Sequence, residues 1–326
     1  MPEFDENKGL YLKALDYYYQ EGFKLIISGD NEELHRYGIE KLKDKYREDV
    51  YAKEGKFLQE NRHYRIFGNH DIDWKKQRRV ERNLHDVLPG LKIVEGLKFA
   101  WNGNFIFFAH GHQGDLINDK LGKFGRVILR WIARPLGISS GTSPAKNYIK
   151  RRKDETEYYD WAKSRRVLFI AGHTHRPMFE SLTKAERIRI DIENAVREYI
   201  SEKDPKKREK LKVKIKAKKE QFERARKKEG AKDQRLRLGQ AELFTPCYFN
   251  DGSCLHKNGI TCIELCEGKI KLVFLYDKTE EANIDKELRA PTFKLLPGDS
   301  DAKNYRRQTL EEEKLEYIFT RIQLLG

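Results

Sequence analysis

Four short polar loops in this 326-residue chain carry side chains of the kinds that bind divalent metals. In chain order the loops read SGDN, FGNHD, AHGH and AGHTH. They supply carboxylate, amide and imidazole groups in Asp30, Asn69, His70, His110, His112, His173 and His175. This mixture of ligands suits Mn²⁺, Fe²⁺, Ni²⁺ or Zn²⁺. The absence of cysteine from these loops argues against a structural zinc site.

Each of these loops follows an apolar stretch that predicts a buried strand. The stretches FKLIIS, HYRIF, NFIFFA and VLFIA lead into the four loops, and an amphipathic helix is predicted before the first of them, over residues 8–21. Because open α/β sheets gather their sites at the carboxyl ends of strands, we expect the loops to converge. One such loop would mean little, but four in succession predict a metal site.

The order G-D, G-N-H-D, H-G-H and G-H-T-H resembles the motif order of the calcineurin-like metallophosphoesterase family. The resemblance covers most of residues 20–275, apart from a basic insertion. It implies an α/β fold, namely a four-layer αββα sandwich. It also implies an enzyme that hydrolyses phosphomonoesters or phosphodiesters with a metal-activated water, where two cations clamp the phosphoryl group.

Five metal ligands follow from the resemblance. Asp30 is expected to bridge two ions. The second metal site is completed by Asn69, His110 and His173, whereas His175 belongs to the first site. The metal itself is not specified by these residues, and Mn²⁺, Fe²⁺, Ni²⁺ and Zn²⁺ all stay open.

The same resemblance implies roles in catalysis for two further residues. His70 is expected to stabilise or protonate the leaving oxygen, and Asp71 to orient its ring. General acid catalysis of this kind typically contributes about 10²–10⁴ in rate. Glu33 and His35 follow Asp30 closely in the chain and are candidates for weaker roles at the site. A position on a helix surface is the simpler interpretation of His35.

The family pattern begins with a D-x-H motif that has no counterpart in the printed sequence. Two interpretations stay open: a true start tens of residues upstream, or a complete protein with one good metal site and a degraded second one. Both predict weak two-metal chemistry, or none. A central strand is also expected to be missing, which would leave unpaired backbone groups and exposed apolar faces.

The chain is predicted to form a single domain over residues 1–326, with two additions. Residues 116–166 are expected to form a cap-like helical segment. Residues 181–240 carry 21 Lys and Arg against 11 Asp and Glu, so they contribute +10 of the +14 net charge. Two narrow apolar stripes there predict an inserted basic helical hairpin. A solvated hairpin, a nucleic-acid contact through the phosphate backbone and a contact with acidic lipids stay open.

The remaining expectations concern the C-terminal part and the cellular setting. Residues 247–277 predict an antiparallel meander, and a short helix is expected near 309–322. No signal peptide or membrane span is visible, so a cytoplasmic location with reduced cysteines is expected. The oligomeric state is not predicted.

The sequence therefore leaves two possible functions, which belong to different classes. The first is a metal-dependent phosphoesterase acting on a phosphate-ester substrate. The second is a truncated or degenerate relative that acts as a non-catalytic binding protein, with nucleic acid as a partner of residues 181–240. The intact GNHD and GHTH loops favour the enzyme.

Overall fold

The computed structural model describes residues 2–112, 148–182, 184–229, 245–255, 259–277, 293–295 and 305–326. The helices are α1 (Pro2–Gln20), α2 (Ile39–Tyr46), α3 (Ala52–Gln59), α4 (Gln77–Leu84), α5 (Tyr148–Arg165), α6 (Lys184–Ser201), α7 (Pro205–Glu229) and α8 (Leu315–Leu325). The strands are β1 (Leu25–Ile27), β2 (His63–Ile66), β3 (Ile93–Val94), β4 (Gly96–Trp101), β5 (Asn104–Ala109), β6 (Leu168–Ala171), β7 (Tyr248–Asn250), β8 (Ile260–Cys266), β9 (Lys269–Asp277), β10 (Phe293–Leu295) and β11 (Tyr305–Lys314).

Two sheets carry the strands that precede the metal-type loops. The first is parallel, in the order β1-β2-β3. The second has the order β4-β5-β6-β7, where β4 and β5 form an antiparallel hairpin and β5, β6 and β7 run parallel. Strand β6 is buried along its whole length, which explains its continuous apolar sequence. Mixed α/β structure with parallel and mixed sheets fits the predicted fold class.

The third sheet is antiparallel, in the order β10-β11-β9-β8. Its hairpin β8–β9 lies within the predicted meander, whereas β7 joins β6 in the other sheet. The predicted helix near 309–322 begins later, because residues 305–314 form β11 and α8 starts at Leu315. Strand β11 is rich in charged residues, and its pairing with β9 overrides its weak intrinsic preference for strand.

A central apolar core joins the second sheet to α5 and α8. Among its members, Phe169, Tyr248 and Ile318 are almost fully buried. From α5, Tyr158 and Trp161 pack edge-on against Phe169. Helix α5, the described part of the expected cap-like segment, therefore packs on this core, and residues 116–147 of that segment lie outside the described residues.

Helices α6 and α7 lie within the basic segment and pack on each other. The apolar part of their contact includes Ala185 and Ile188 from α6 with Ala225 and partly buried Phe222 from α7. An ion pair between Lys218 and Asp191 also joins the two helices. Most other side chains of α7 are exposed. The four-layer sandwich and the insertion of this hairpin into it stay predictions. Among the described helices, none combines the length and apolar character that crossing a bilayer requires.

Candidate metal centre

The four predicted loops leave β1, β2, β5 and β6 at their carboxyl ends. Asp30 follows β1 and His173 follows β6, and both have left-handed backbone with φ of 55° and 51°. Non-glycine residues in this region carry strain of order 1–3 kcal/mol, which is retained mainly where function requires the geometry. Gly68 follows β2, and a Cβ there would lie 2.0 Å from Oδ1 of Asp30. The close approach of these two loops therefore requires glycine at position 68.

Side chains from the four loops meet around the imidazole of His110. Its Nε2 lies 3.1 Å from Oδ2 of Asp30, 3.2 Å from Oδ1 of Asn69 and 3.0 Å from Nδ1 of His173. Ligand atoms of Asp30, His110 and His173 all lie within 4.8 Å of one another. The structure therefore brings together four of the five predicted metal ligands.

The protonation of His110 shows what these atoms can bind. Its Nδ1 lies 2.8 Å from the carbonyl oxygen of Ser28, which only accepts, so Nδ1 carries the proton and donates. In the neutral ring Nε2 then presents a lone pair to the oxygens of Asp30 and Asn69, which also only accept. One proton on Nε2 could serve only one of these neighbours, whereas a divalent cation would satisfy all of them. The backbone contact at Nδ1 is the support that metal-binding histidines usually have.

Charge and burial in the centre favour a cation. Burial alone would raise the pKa of the Asp30 carboxyl, but the charge and hydrogen bond of His110 bring it below its usual value. Burial, followed by the charge of His110, lowers the pKa of His173 well below its usual value. Burial alone would lower the pKa of the His110 ring, but the charge of Asp30 raises it, so a proton is favoured between these two groups. A cation would take the place of that proton, with Asp30 ionised and both imidazoles neutral.

His175 and His112 lie near the centre but outside this group. His175 lines the same cavity as Asp30 and His173, with φ of 55°, and is not one of the three residues whose ligand atoms cluster. The ring of His112 lies 5.5 Å from that of His110, and its buried Nδ1 has no hydrogen-bond partner among the described residues. Burial lowers the pKa of His112 to about 3, so its ring is neutral.

The ring of His70 is held by Glu33 and not by Asp71. Nδ1 of His70 lies 2.8 Å from Oε1 of Glu33, and this hydrogen bond raises the pKa of the His70 ring. The backbone N–H of His70 also donates to Oδ1 of Asp30 at 2.8 Å. The hydrogen bond at Nδ1 leaves Nε2 of His70 as the nitrogen that can meet a substrate.

The Asp71 carboxylate organises backbone instead of the His70 ring. It accepts hydrogen bonds from the N–H groups of Gly68 at 2.6 Å and Asn31 at 2.9 Å. These bonds tie the loop after β2 to the loop after β1. The sequence led us to expect that Asp71 would orient the ring of His70. In the structure the Asp71 carboxylate is instead buried and directed toward the loop amides.

His35 is a second neighbour of His70, after Glu33, whose role could not be decided from residue types alone. Its Nε2 lies 2.7 Å from the carbonyl oxygen of Asn69, and its ring packs edge-on against His70 at 5.6 Å. Residue 35 lies in the loop before α2 and not on a helix surface. The signal in the sequence was the short spacing from Asp30, which keeps Glu33 and His35 in the same loop.

A family model described as calcineurin-like phosphoesterase matches residues 10–177 of the chain, slightly more than half of its length. The matched range contains all four loops of the metal centre, together with Glu33 and His70. It ends before the basic helices α6 and α7. No curated protein and no solved structure gave a significant match to the chain.

Proposed function

The chain belongs to the calcineurin-like phosphoesterase family, and we propose that it hydrolyses phosphate esters with a divalent cation held by Asp30, Asn69, His110 and His173. The observation that carries the proposal is the convergence of metal-ligand atoms around Nε2 of His110, at 3.0–3.2 Å. When bound, the cation supplies positive charge that polarises a phosphoryl oxygen and activates water.

The chain's own groups would orient the substrate and move a proton. His70 lies beside Asp30 and is held through Nδ1 by Glu33. In its protonated state Nε2 can donate to the oxygen that leaves the phosphorus atom. The backbone N–H of His70 also donates to Oδ1 of Asp30. This hydrogen bond fixes the position of the proton donor relative to the metal ligand.

The described residues support one complete metal site. Four of the five predicted ligands gather at His110, whereas His175 is not among the residues whose ligand atoms cluster. The proposal is therefore a phosphoesterase with one well-formed cation site, and a two-metal site stays a prediction. Mn²⁺, Fe²⁺, Ni²⁺ and Zn²⁺ all suit the ligand set of one carboxylate, one amide and two imidazoles.

The substrate class is proposed only as far as phosphate esters. Mono- and diesters both fit a site built from a cation and one proton donor. A nucleic-acid contact through residues 181–240 stays a prediction, since the exposed Lys and Arg of α7 suit a solvated face equally well.

The proposal is tested with p-nitrophenyl phosphate and bis(p-nitrophenyl) phosphate in the presence of Mn²⁺. The wild-type protein is compared with Asn69→Ala, His70→Ala and an exposed control, His85→Ala. We expect His70→Ala to lower kcat by about 10²–10⁴ and Asn69→Ala to require more Mn²⁺ for the same rate, with the control unchanged. If all four proteins are equally inert, the enzyme proposal fails and the binding-protein alternative is favoured.

A further inference from the structure

Residues 28–30, directly after β1, contact the imidazole of His110 at both of its nitrogen atoms. The carbonyl oxygen of Ser28 lies 2.8 Å from Nδ1, and Oδ2 of Asp30 lies 3.1 Å from Nε2. Gly29 lies between them with φ of 104°, and a Cβ there would lie 2.5 Å from Nδ1 of His110. The position of this short segment therefore decides how the His110 ring is presented to a cation.

The segment and the ring that it contacts belong to different sheets. Strand β1 ends at Ile27, and among the described strands it pairs only with β2. His110, in contrast, follows β5 in the second sheet. The alignment of the Ser28 carbonyl with the His110 ring therefore depends on contacts that join the two sheets at this point.

The side chain of Asp251 makes such a contact. Its Oδ2 accepts a hydrogen bond from Oγ of Ser28 at 2.5 Å. This short distance is typical of a hydroxyl that donates to an ionised carboxylate. Asp251 directly follows β7, the neighbour of β6 in the second sheet. A connection thus runs from Asp251 through Ser28 to His110, where the ring would bind the metal.

Asp251 is itself held firmly in the second sheet. Its backbone N–H donates to the carbonyl of Ala171 at 3.0 Å, and the N–H of Gly172 donates to the carbonyl of His110 at 3.1 Å. A Cβ on Gly172 would lie 3.1 Å from Oγ of Ser28 and 3.4 Å from Oδ1 of Asp251. Closely packed backbone therefore fixes the carboxylate, as a group that positions a metal ligand requires.

We propose that Asp251 is a positioning residue for the metal ligand His110 and that it acts through Ser28. The inference rests on the proposed cation site. The hydrogen bond to Asp251 fixes the Ser28 peptide, and the carbonyl of that peptide sets the orientation and tautomer of the His110 ring. Carboxylates often support a metal-binding histidine by direct contact, whereas here one serine lies between the two groups.

Two other roles for Asp251 predict different behaviour. A direct metal ligand would have its carboxylate among the clustered ligand atoms, and among the described residues this cluster consists of Asp30, His110 and His173. A purely structural link between two loops would change the stability of the protein but not its affinity for a cation. The affinity of the folded protein for Mn²⁺ is therefore the quantity that distinguishes these roles.

Titration calorimetry of Mn²⁺ into the chelator-treated full chain tests the proposal with the variants Ser28→Ala and Asp251→Ala. We expect each variant to bind Mn²⁺ roughly tenfold more weakly than the wild type, as is typical when the partner of a metal ligand is removed. Because the two residues act through one hydrogen bond, the double variant should also be weaker by roughly tenfold, and not by roughly a hundredfold.

Ser181→Ala is the matched control. Ser181 is buried, and its Oγ donates to the carbonyl of Thr245 at 2.9 Å, so this variant also loses one serine hydrogen bond between loops. It should lower the midpoint of denaturant unfolding and leave the affinity for Mn²⁺ unchanged. Asp251→Asn is a second probe, because it keeps the shape of the side chain and a neutral acceptor. Its affinity should lie between those of the wild type and Asp251→Ala.

The proposal is overturned if Ser28→Ala and Asp251→Ala bind Mn²⁺ as tightly as the wild type, whatever their stability. It is also overturned if the losses multiply in the double variant, since the two residues would then act separately. If Asp251→Ala does not fold, equal affinity of Asp251→Asn and the wild type decides against it. No Mn²⁺ binding to the wild type would instead overturn the proposed function, and this inference with it.

Discussion

At the scale of single residues, the ring of His70 depends on a partner that the loop after β1 provides. Glu33 lies three positions after Asp30, so one loop carries both a metal ligand and the carboxylate that holds His70. The side chains of His70 and Glu33 are 24% and 16% exposed, so substrate can reach the pair while most of it is shielded from water. This arrangement makes Glu33 a positioning residue for the proposed proton donor.

We predict that Glu33→Gln lowers kcat for p-nitrophenyl phosphate by roughly 10- to 100-fold, with little change in KM. The amide keeps the shape of the side chain but loses the charge that supports a protonated His70. The control is Glu81→Gln on the exposed face of α4, which should match wild type. Equal kcat values for Glu33→Gln and wild type would show that Glu33 has only a structural role.

The buried carboxyl of Asp251 is expected to make the free energy of unfolding depend on pH. Burial raises the pKa of its carboxyl to about 6, and Ser28 Oγ donates to it at 2.5 Å. Between pH 4 and pH 6 the folded state therefore binds more protons at Asp251 than the unfolded chain, so the free energy of unfolding falls as pH rises. This contribution is of order 1–2 kcal/mol.

We predict that Asp251→Asn removes this part of the pH dependence. Denaturant unfolding at pH 4.5 and pH 7 measures the difference for both proteins. The wild type should lose more stability than Asp251→Asn over this interval, and the variant should be the more stable protein at pH 7. Parallel pH profiles for the two proteins would contradict the assignment.

The convergence of Asp30, His110 and His173 was predictable from residue type, because a buried strand followed by Asp, Asn or His has few structural explanations. Their roles as metal ligands come from the family resemblance and stay predictions. The partner of His70 was not predictable in the same way. Both Asp71 and Glu33 carry carboxylates close to the centre. The backbone conformation of each loop determines which carboxylate contacts the ring of His70. The hydrogen bonds of Asp71 to loop amides depend on backbone positions that side-chain types do not reveal.

At the scale of elements, a buried charge network joins β2 to the helices beside it. Arg65 on β2 is fully buried and donates to Glu54 of α3 and, at 2.9 Å, to Glu32 of the loop after β1. Trp74 also donates to Glu32, at 2.9 Å. Because both carboxylates share one guanidinium, removal of Arg65 would leave two buried charges without their main partner.

We predict that Arg65→Met lowers the free energy of unfolding by about 3–5 kcal/mol. The triple variant Arg65→Met, Glu32→Gln, Glu54→Gln should recover much of this loss, because it removes the unpaired charges. The control Arg79→Met breaks only an exposed pair with Asp73 and should cost about 1 kcal/mol or less. A single variant as stable as the control would show that water already solvates the network.

Elements with strong apolar patterns were predictable, and those defined by their partners were not. The sequences of β1, β2, β5 and β6 carry their own apolar signal. Strand β11 has charged residues at most positions, and ion pairs such as Lys269–Glu312 and Arg307–Glu264 join it to its sheet. Strand β7 belongs to the sheet of β6 because of tertiary packing, which local turn signals do not encode.

At the scale of the whole molecule, the arrangement of the sheets explains the metal centre and the cavity beside it. Parallel strands of two sheets direct four loops to one place, so distant parts of the chain supply the ligands. The expected loss of a central strand stays a prediction. Among the described residues, β1 and β8 each lie at the end of a sheet and border one cavity. Its volume and its continuity with the metal centre follow only from the packing of α1 and the core.

The account depends most directly on the binding of one divalent cation at Asp30, Asn69, His110 and His173. Titration calorimetry of Mn²⁺ into chelator-treated protein measures this binding without any substrate. We predict one site per chain in the wild type and in the exposed control His85→Ala, and binding at least roughly tenfold weaker in His173→Ala. No binding to the wild type, or equal binding to wild type and His173→Ala, would contradict the account.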